Sequence, residues 1–191
     1  MNVMAGALSF LVGSVVSLYV FVLLARLFMH KHRMSAINPL VRFVINVTAA
    51  PLRPLQRVLP ECRGYDSAII VLLLAIKWIE IELNVWSQQG QWPPFLAAMV
   101  IALAYFASLM VDVYFYAIII TAVLSWLPML PYFPVRDLID AIAGPPLRWV
   151  QRLLPTFSGI DFSPLVLLLG LQVVDKVVEG YLSELIKVLL G

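Results

Sequence analysis

Apolar residues in this chain mostly run together instead of recurring at the spacing of a half-buried helix or strand. Leu8 to Met29 is interrupted only by Arg26 and small polar residues, and a helix crossing the roughly 30 Å hydrocarbon core of a bilayer needs about 20 such residues. Ser67–Trp86 is the second such run, with Lys77, Glu80 and Glu82 in its latter half. Phe95–Leu127 is the third, broken only by Asp112, and Pro164–Leu182 is the fourth, strongly apolar up to Val174. The third run is longer than one perpendicular span requires. It contains no Gly, Pro or Asn to make a turn, which predicts one long tilted helix; a hairpin, giving five spans, is the alternative.

Between these runs the pattern changes to a helical one. Arg53 and Arg57 are four residues apart, as are Arg148 and Arg152, so each pair lies on one helix face. Leu52, Leu55 and Leu59 fall opposite the first pair, and Leu147, Val150 and Leu154 opposite the second. This predicts two short amphipathic helices in the headgroup region, their arginines toward phosphate. Arg42 and Asn46 carry the polar stripe back into the preceding segment. Pro60 and Pro155 are expected to end these helices, Gly64 and Gly159 to allow a tight reversal, and Ser67 and Ser163 to cap the helices that re-enter the membrane. Pro164 suits a first helical position, and Asp66 and Asp161 suit the positive end of a helix.

The two segments are copies. At an offset of 95 residues Pro51-Leu52-Arg53 falls on Pro146-Leu147-Arg148, Gln56-Arg57 on Gln151-Arg152 and Leu59-Pro60 on Leu154-Pro155. Gly64 and Asp66 fall on Gly159 and Asp161, Val71–Leu74 on Val166–Leu169, Pro39 on Pro134 and Tyr19 on Tyr114. The expected architecture is therefore an all-α membrane protein of four spans. It consists of two tandem parallel repeats, 1–94 and 95–191, each a transmembrane helix, an interfacial amphipathic helix and a second transmembrane helix. Such parallel repeats differ from the inverted repeats of many transporters.

Composition agrees with lipid as the solvent: 62% of the 191 residues are hydrophobic and 13% charged, against about 45–50% and 25% in soluble domains. The distribution of charge matters more than the net +2. Lys31, Arg33, Arg42, Arg53, Arg57 and Arg63 lie between the first two runs, with Arg26 at the boundary; Arg136, Arg148 and Arg152 lie between the last two. Ser87–Pro94 and the N-terminal tail have no Lys or Arg. The positive-inside rule then puts both long loops in the cytoplasm and both termini outside. Met1 to Ala25 is uncharged, so the first run lacks the basic start of a signal peptide and reads as a retained helix. The single cysteine, Cys62, rules out an intramolecular disulfide and suits a reducing compartment.

Candidate chemistry is sparse. No nucleophile elbow, phosphate loop, zinc-protease motif or nucleotide fingerprint is present, so no enzyme is expected and no cofactor is implied. His30-Lys31-His32 lacks a supporting ligand cluster and reads as a basic juxtamembrane tail before it reads as a metal or haem site. A dense basic face for direct nucleic-acid binding is missing. Lys77, Glu80 and Asp175 are candidates for an ion path, because ionisable groups in a span are costly and often functional; Glu80 and Asp175 are repeat equivalents. The competing reading is that these charges reach the outer interface or pair, as Lys77 and Glu80, three apart, can. Asp112 is placed either in a seam near Lys77 or in a helical extension outside lipid.

The twin motifs, above all Gly159-Ile160-Asp161-Phe162-Ser163-Pro164 after Pro146-Leu147-Arg148 and Leu154-Pro155, resemble those of the YggT (YlmG-like) family of membrane proteins. The resemblance covers nearly the whole chain; the first copy departs from it at Gly64-Tyr65-Asp66-Ser67-Ala68, which lacks the Phe-Ser-Pro ending. It implies a bacterial inner-membrane protein. It also brings associations with osmotic-stress tolerance and ion uptake in bacteria, and with cytochrome b6 haem assembly, nucleoid distribution and division in plastids and cyanobacteria. Two functions follow as expectations. The first is a scaffold or assembly factor whose Arg53, Arg57, Arg148 and Arg152 engage anionic lipid or a protein partner. The second is a potassium or proton channel, transporter or accessory subunit, assembled as a homo-oligomer or with partners to enclose a pore.

Overall fold

The computed structural model describes residues 3–125, 134–153 and 161–190. It is almost wholly helical: α1 (Val3–Lys31), α2 (Pro39–Gln56), α3 (Ser67–Gln89), α4 (Phe95–Ser125), α5 (Pro134–Gln151) and α6 (Ser163–Leu190). The exception to the all-α expectation is a two-stranded hairpin, β1 (Glu61–Cys62) with β2 (Tyr65–Asp66). Its two-residue turn is Arg63-Gly64, with φ of 53° and 78°, the left-handed pair that a type I′ turn requires. The tight reversal expected at Gly64 is there; its counterpart Gly159, with Leu154 and Pro155, lies outside the described residues.

The third apolar run is one unbroken helix through Ser125; the expected end at Leu127 lies outside the described residues. α6 runs past the expected Leu182 to Leu190. Two helical segments, Phe10–Lys31 and Phe95–Ser125, are long and apolar enough to cross a membrane. Their apolar side chains are largely uncovered: Phe10, Val15, Leu18 and Phe21 on α1, and Leu96 and Leu103 on α4. α3 and α6 each carry three charged residues in their membrane-length stretch, Lys77, Glu80 and Glu82 in one and Asp175, Lys176 and Glu179 in the other.

The amphipathic helices are longer than the arginine pairs alone implied. α2 starts after Asn38, whose Oδ1 accepts from the Leu40 N–H at 2.9 Å, a side-chain cap followed by Pro39 at the first position. It ends at Gln56, four residues before Pro60. Pro51 and Pro54 inside it remove two backbone donors from the last turns, which weakens the helix before Pro60 is reached. A last turn persists beyond it, with Leu59 N–H bonded to Leu55 O at 2.9 Å. α2 and α5 begin at Pro39 and Pro134 and end at Gln56 and Gln151, so the repeat offset holds at both helix ends.

Two compact units divide the chain, 1–73 and 74–191. In the first, α2 packs along α1 through Val41, Val44 and Leu52, and β2 lies against α1. In the second, α4 packs on α5 and α6, and Ile81, Ala98, Ile101, Ala102 and Leu182 form a buried cluster. Small residues on α4 let neighbouring backbones approach closely, as they do in membrane helix bundles. α3 ends at Gln89 and is followed by Gly90 (φ 70°), and Trp86 stacks on Trp92 across the turn at 5.8 Å.

Candidate functional site

The amphipathic helices bury one side and expose the other. Leu52 on α2 and Leu147 and Val150 on α5 are buried, while Arg53, Arg57, Arg148 and Arg152 are all exposed. Among the described residues none of the four forms a salt bridge. Arg57 stands at the C-cap of α2, so the first pair straddles the helix end. Arg148 folds back over Gly144, close enough that a β-carbon there would meet its guanidinium at 2.8 Å. Trp149 beside it is 65% exposed, an amphipathic ring suited to a membrane interface.

Each corner is closed by the same hydrogen bond. Gln56 Nε2 donates to Asp66 Oδ2, and Gln151 Nε2 donates to Asp161 Oδ2 at 2.7 Å. The other oxygen of each aspartate accepts a backbone N–H at the start of the next long helix, Ala68 at 3.0 Å and Ser163 at 2.8 Å. The capping expected of Ser67 and Ser163 is thus done by the carboxylates, whose acceptors reach N–H groups two residues on. Ser67 Oγ donates backward to Pro60 O instead. The Ser163 hydroxyl and N–H, followed by Gln151, hold the Asp161 carboxyl below its usual range. Sequence comparison of the copies aligned both glutamines and both aspartates; their spacing of ten residues was the signal that joins them.

In the first unit the hairpin is clamped to the end of α1. Lys31 Nζ donates to Arg63 O at 3.2 Å and sits 4.0 Å from the centre of the Tyr65 ring, and His30 Nε2 meets Glu61 Oε1 at 3.2 Å. Partial burial and the Lys31 charge push His32 below the ordinary histidine range. Cys62 is exposed on the hairpin. Arg26, which sequence reasoning treated only as a boundary charge, turns inward: its Nη1 donates to Thr48 Oγ1 and to Ile45 O at 3.1 Å.

The charges within the long helices separate into two groups. Lys77 pairs with Glu80 at 2.9 Å and lies 5.9 Å from the Tyr105 ring centre; with Asn84 they line a cavity of about 120 Å³. Asp175 lines a different cavity of about 120 Å³, with Asp112 and Gln172. Asp112 therefore keeps company with Asp175, and the seam with Lys77 that the sequence allowed is filled by Glu80 and Tyr105. Lys176 pairs with Glu179 at 2.5 Å. Among the described residues no group of three or more His, Cys, Asp and Glu is placed to hold a metal ion.

No solved structure matches the chain. An uncharacterised protein of Pseudomonas aeruginosa is 31% identical over 88% of this chain and 86% of its own length. The uncharacterised protein YggT of Escherichia coli is 31% identical over 92% of this chain and 91% of its own. An uncharacterised protein of Haemophilus influenzae is 27% identical over 82% and 83%. The CCB3/YggT family model matches twice, at residues 5–87 and 100–182, a displacement of 95 residues at both ends and the same offset that joins the two corner motifs. The chain belongs to the CCB3/YggT family.

Proposed function

We propose that this protein is a four-span inner-membrane scaffold or assembly factor, with two basic corners in the cytoplasm that engage anionic lipid or an acidic face of a protein partner. The observation that carries this reading is the pair of exposed arginines on both α2 and α5, free of salt bridges among the described residues while the opposite helix side is buried. An exposed cation with no internal counter-charge is available to phosphate or carboxylate. α3 and α6, at 23 and 28 residues, reach about 35 and 42 Å at 1.5 Å per residue, which supports spanning despite their charges. Several of those charges pair within the helix, Lys77 with Glu80 and Lys176 with Glu179, and this lowers the cost of keeping them near lipid.

The rival reading is a potassium or proton channel, transporter or accessory subunit using Lys77, Glu80 and Asp175. Glu80 and Asp175 line separate small cavities, which favours the scaffold. Membranes carrying wild type or the Arg53→Gln/Arg57→Gln/Arg148→Gln/Arg152→Gln variant can be cross-linked and the protein purified. The expected result is loss of the cross-linked partners from the variant, with carbonate-resistant insertion unchanged. Identical cross-linked species in both would remove these arginines from the proposal.

A further inference from the structure

The first unit has a cleft whose polar lining the second copy does not share in sequence. An open cleft of about 390 Å³ lies where α1, α2 and the hairpin meet, lined by Arg26, Met29, His30, Arg33, Val41 and Ile45. That volume is within the roughly 300–1,000 Å³ of ligand sites. We infer that this cleft binds the phosphate of an anionic phospholipid headgroup, with Arg26 and Arg33 as the cationic contacts and Met29, Val41 and Ile45 against the glycerol and upper acyl carbons.

Arg26 carries the argument. It lies five residues before the end of α1, roughly 7–8 Å deeper along the axis, where the headgroup region gives way to hydrocarbon. A guanidinium at that depth needs a counter-charge. Its two bonded partners, Thr48 Oγ1 and Ile45 O, are neutral, and among the described residues it forms no salt bridge. Asp66 attracts it electrostatically but forms no salt bridge with it, its oxygens facing Gln56 and the Ala68 N–H. Of the five N–H donors of a guanidinium, Thr48 and Ile45 occupy those on Nη1, and the rest are left for a ligand. Thr48 is fully buried and its hydroxyl donates a hydrogen bond to Val44 O, so its oxygen is free to accept from Arg26 and fixes that side chain at the cleft wall.

The rest of the lining completes a site for one anion. Arg33 stands exposed at the rim, in a left-handed turn (φ 49°) just past α1. The lining holds one carboxylate, Glu61, in contact with His30 at 3.2 Å, against two arginines, so cationic side chains outnumber acidic ones. The second copy has Thr121, Ser125, Pro128 and Ala143 where the first has Arg26, His30, Arg33 and Thr48. Arginine and the threonine that holds it are missing together, as expected if they form one device added to a single copy. A phosphodiester offers bidentate acceptors to Arg26 and Arg33, and its acyl chains continue onto the exposed apolar surface of α1. The site rests on α1 being a span, and it is separate from the corner arginines of the proposed scaffold.

The test is native mass spectrometry of the full-length protein, purified in mild detergent and titrated with phosphatidylglycerol, phosphatidylcholine or inorganic phosphate. Wild type should hold one phosphatidylglycerol more tightly than any phosphatidylcholine. Arg33→Asn, which suits the positive φ, and Arg26→Gln should each weaken that molecule by roughly tenfold or more, the effect of losing a charge-assisted hydrogen bond. The four-arginine corner variant should retain it. Arg33→Asn guards against misfolding of Arg26→Gln, and both are checked by circular dichroism. Unchanged binding in folded Arg33→Asn and Arg26→Gln protein overturns the site, as does loss of the lipid only in the corner variant. Inorganic phosphate that displaces the lipid at millimolar concentration would assign the cleft to free phosphate instead.

Discussion

Gln151 Nε2 donates to Asp161 Oδ2 at 2.7 Å across ten residues, and Gln56 reaches Asp66 in the same way one repeat earlier. The bond ties the end of each amphipathic helix to the start of the next long helix, so the arginine corner is fixed to the helix that follows it. The two latches differ in burial, Asp66 being 5% exposed and Asp161 open to solvent. Asp66→Ala removes a buried acceptor and strands the N–H of the fully buried Ala68, at a cost of about 1–3 kcal/mol. Asp161→Ala loses a water-accessible cap, worth about 0.5–1 kcal/mol. Thermal unfolding in detergent, followed by tryptophan fluorescence, should give the larger drop for Asp66→Ala; equal drops would contradict the difference in burial.

Asp161 also predicts a pH dependence. Hydrogen bonds from Ser163 and then Gln151 hold its carboxyl below the ordinary value, near 3.9 when unfolded. A depressed folded value means the ionised form is favoured by folding. The added stability is complete above the unfolded value and is lost as the pH falls through the lower, folded one. Wild type and Asp161→Asn should therefore differ in unfolding temperature at neutral pH and converge at strongly acidic pH. A gap that stays constant into acid would show that the charge of Asp161 contributes nothing.

The hairpin turn gives a backbone prediction. A β-carbon on Gly64 would meet nothing closer than Lys31 Nζ at 4.0 Å, so Gly64→Ala carries no steric clash. Its cost comes from φ of 78°, about 1–2 kcal/mol for a residue with a β-carbon in the left-handed region. Arg63→Asn at φ 53° should be neutral or slightly stabilising, since asparagine tolerates that region and Lys31 binds only the backbone oxygen there. Unfolding temperatures of the two variants, measured side by side, check both signs.

Much of this architecture was legible because membrane helices announce themselves by uninterrupted apolar length, and duplication exposed the corner motif. Helix ends were less legible. Pro60 looked like the terminator of α2, but Pro51 and Pro54 had already removed the donors that its last turns need. The caps were misread between Ser67 and Asp66 because neighbouring residues share the same propensity, and only the backbone geometry decides which oxygen faces which N–H. Arg26 was invisible as a site residue. Its partner Thr48 lies 22 residues away, and an arginine near the end of a span is ordinarily read as a positive-inside marker.

Orientation is the prediction on which the corners depend, and the chain carries its own probe. Cys62 is the single cysteine of the sequence and is exposed on the hairpin between α2 and α3. It shares its loop with Lys31, Arg33, Arg42, Arg53, Arg57 and Arg63, and the positive-inside rule predicts a cytoplasmic position for such a loop. With the protein expressed in a bacterial inner membrane, a membrane-impermeant maleimide should leave Cys62 unlabelled in intact spheroplasts. It should label Cys62 nearly completely in inside-out vesicles, because the thiol is already exposed. Labelling in intact spheroplasts would put the arginine corners outside, away from the cytoplasmic partners the scaffold reading requires. Orientation should not depend on the corner pair alone: Arg53→Glu/Arg57→Glu should leave the labelling pattern intact, since Lys31, Arg33, Arg42 and Arg63 still mark the loop and acidic residues contribute little to orientation.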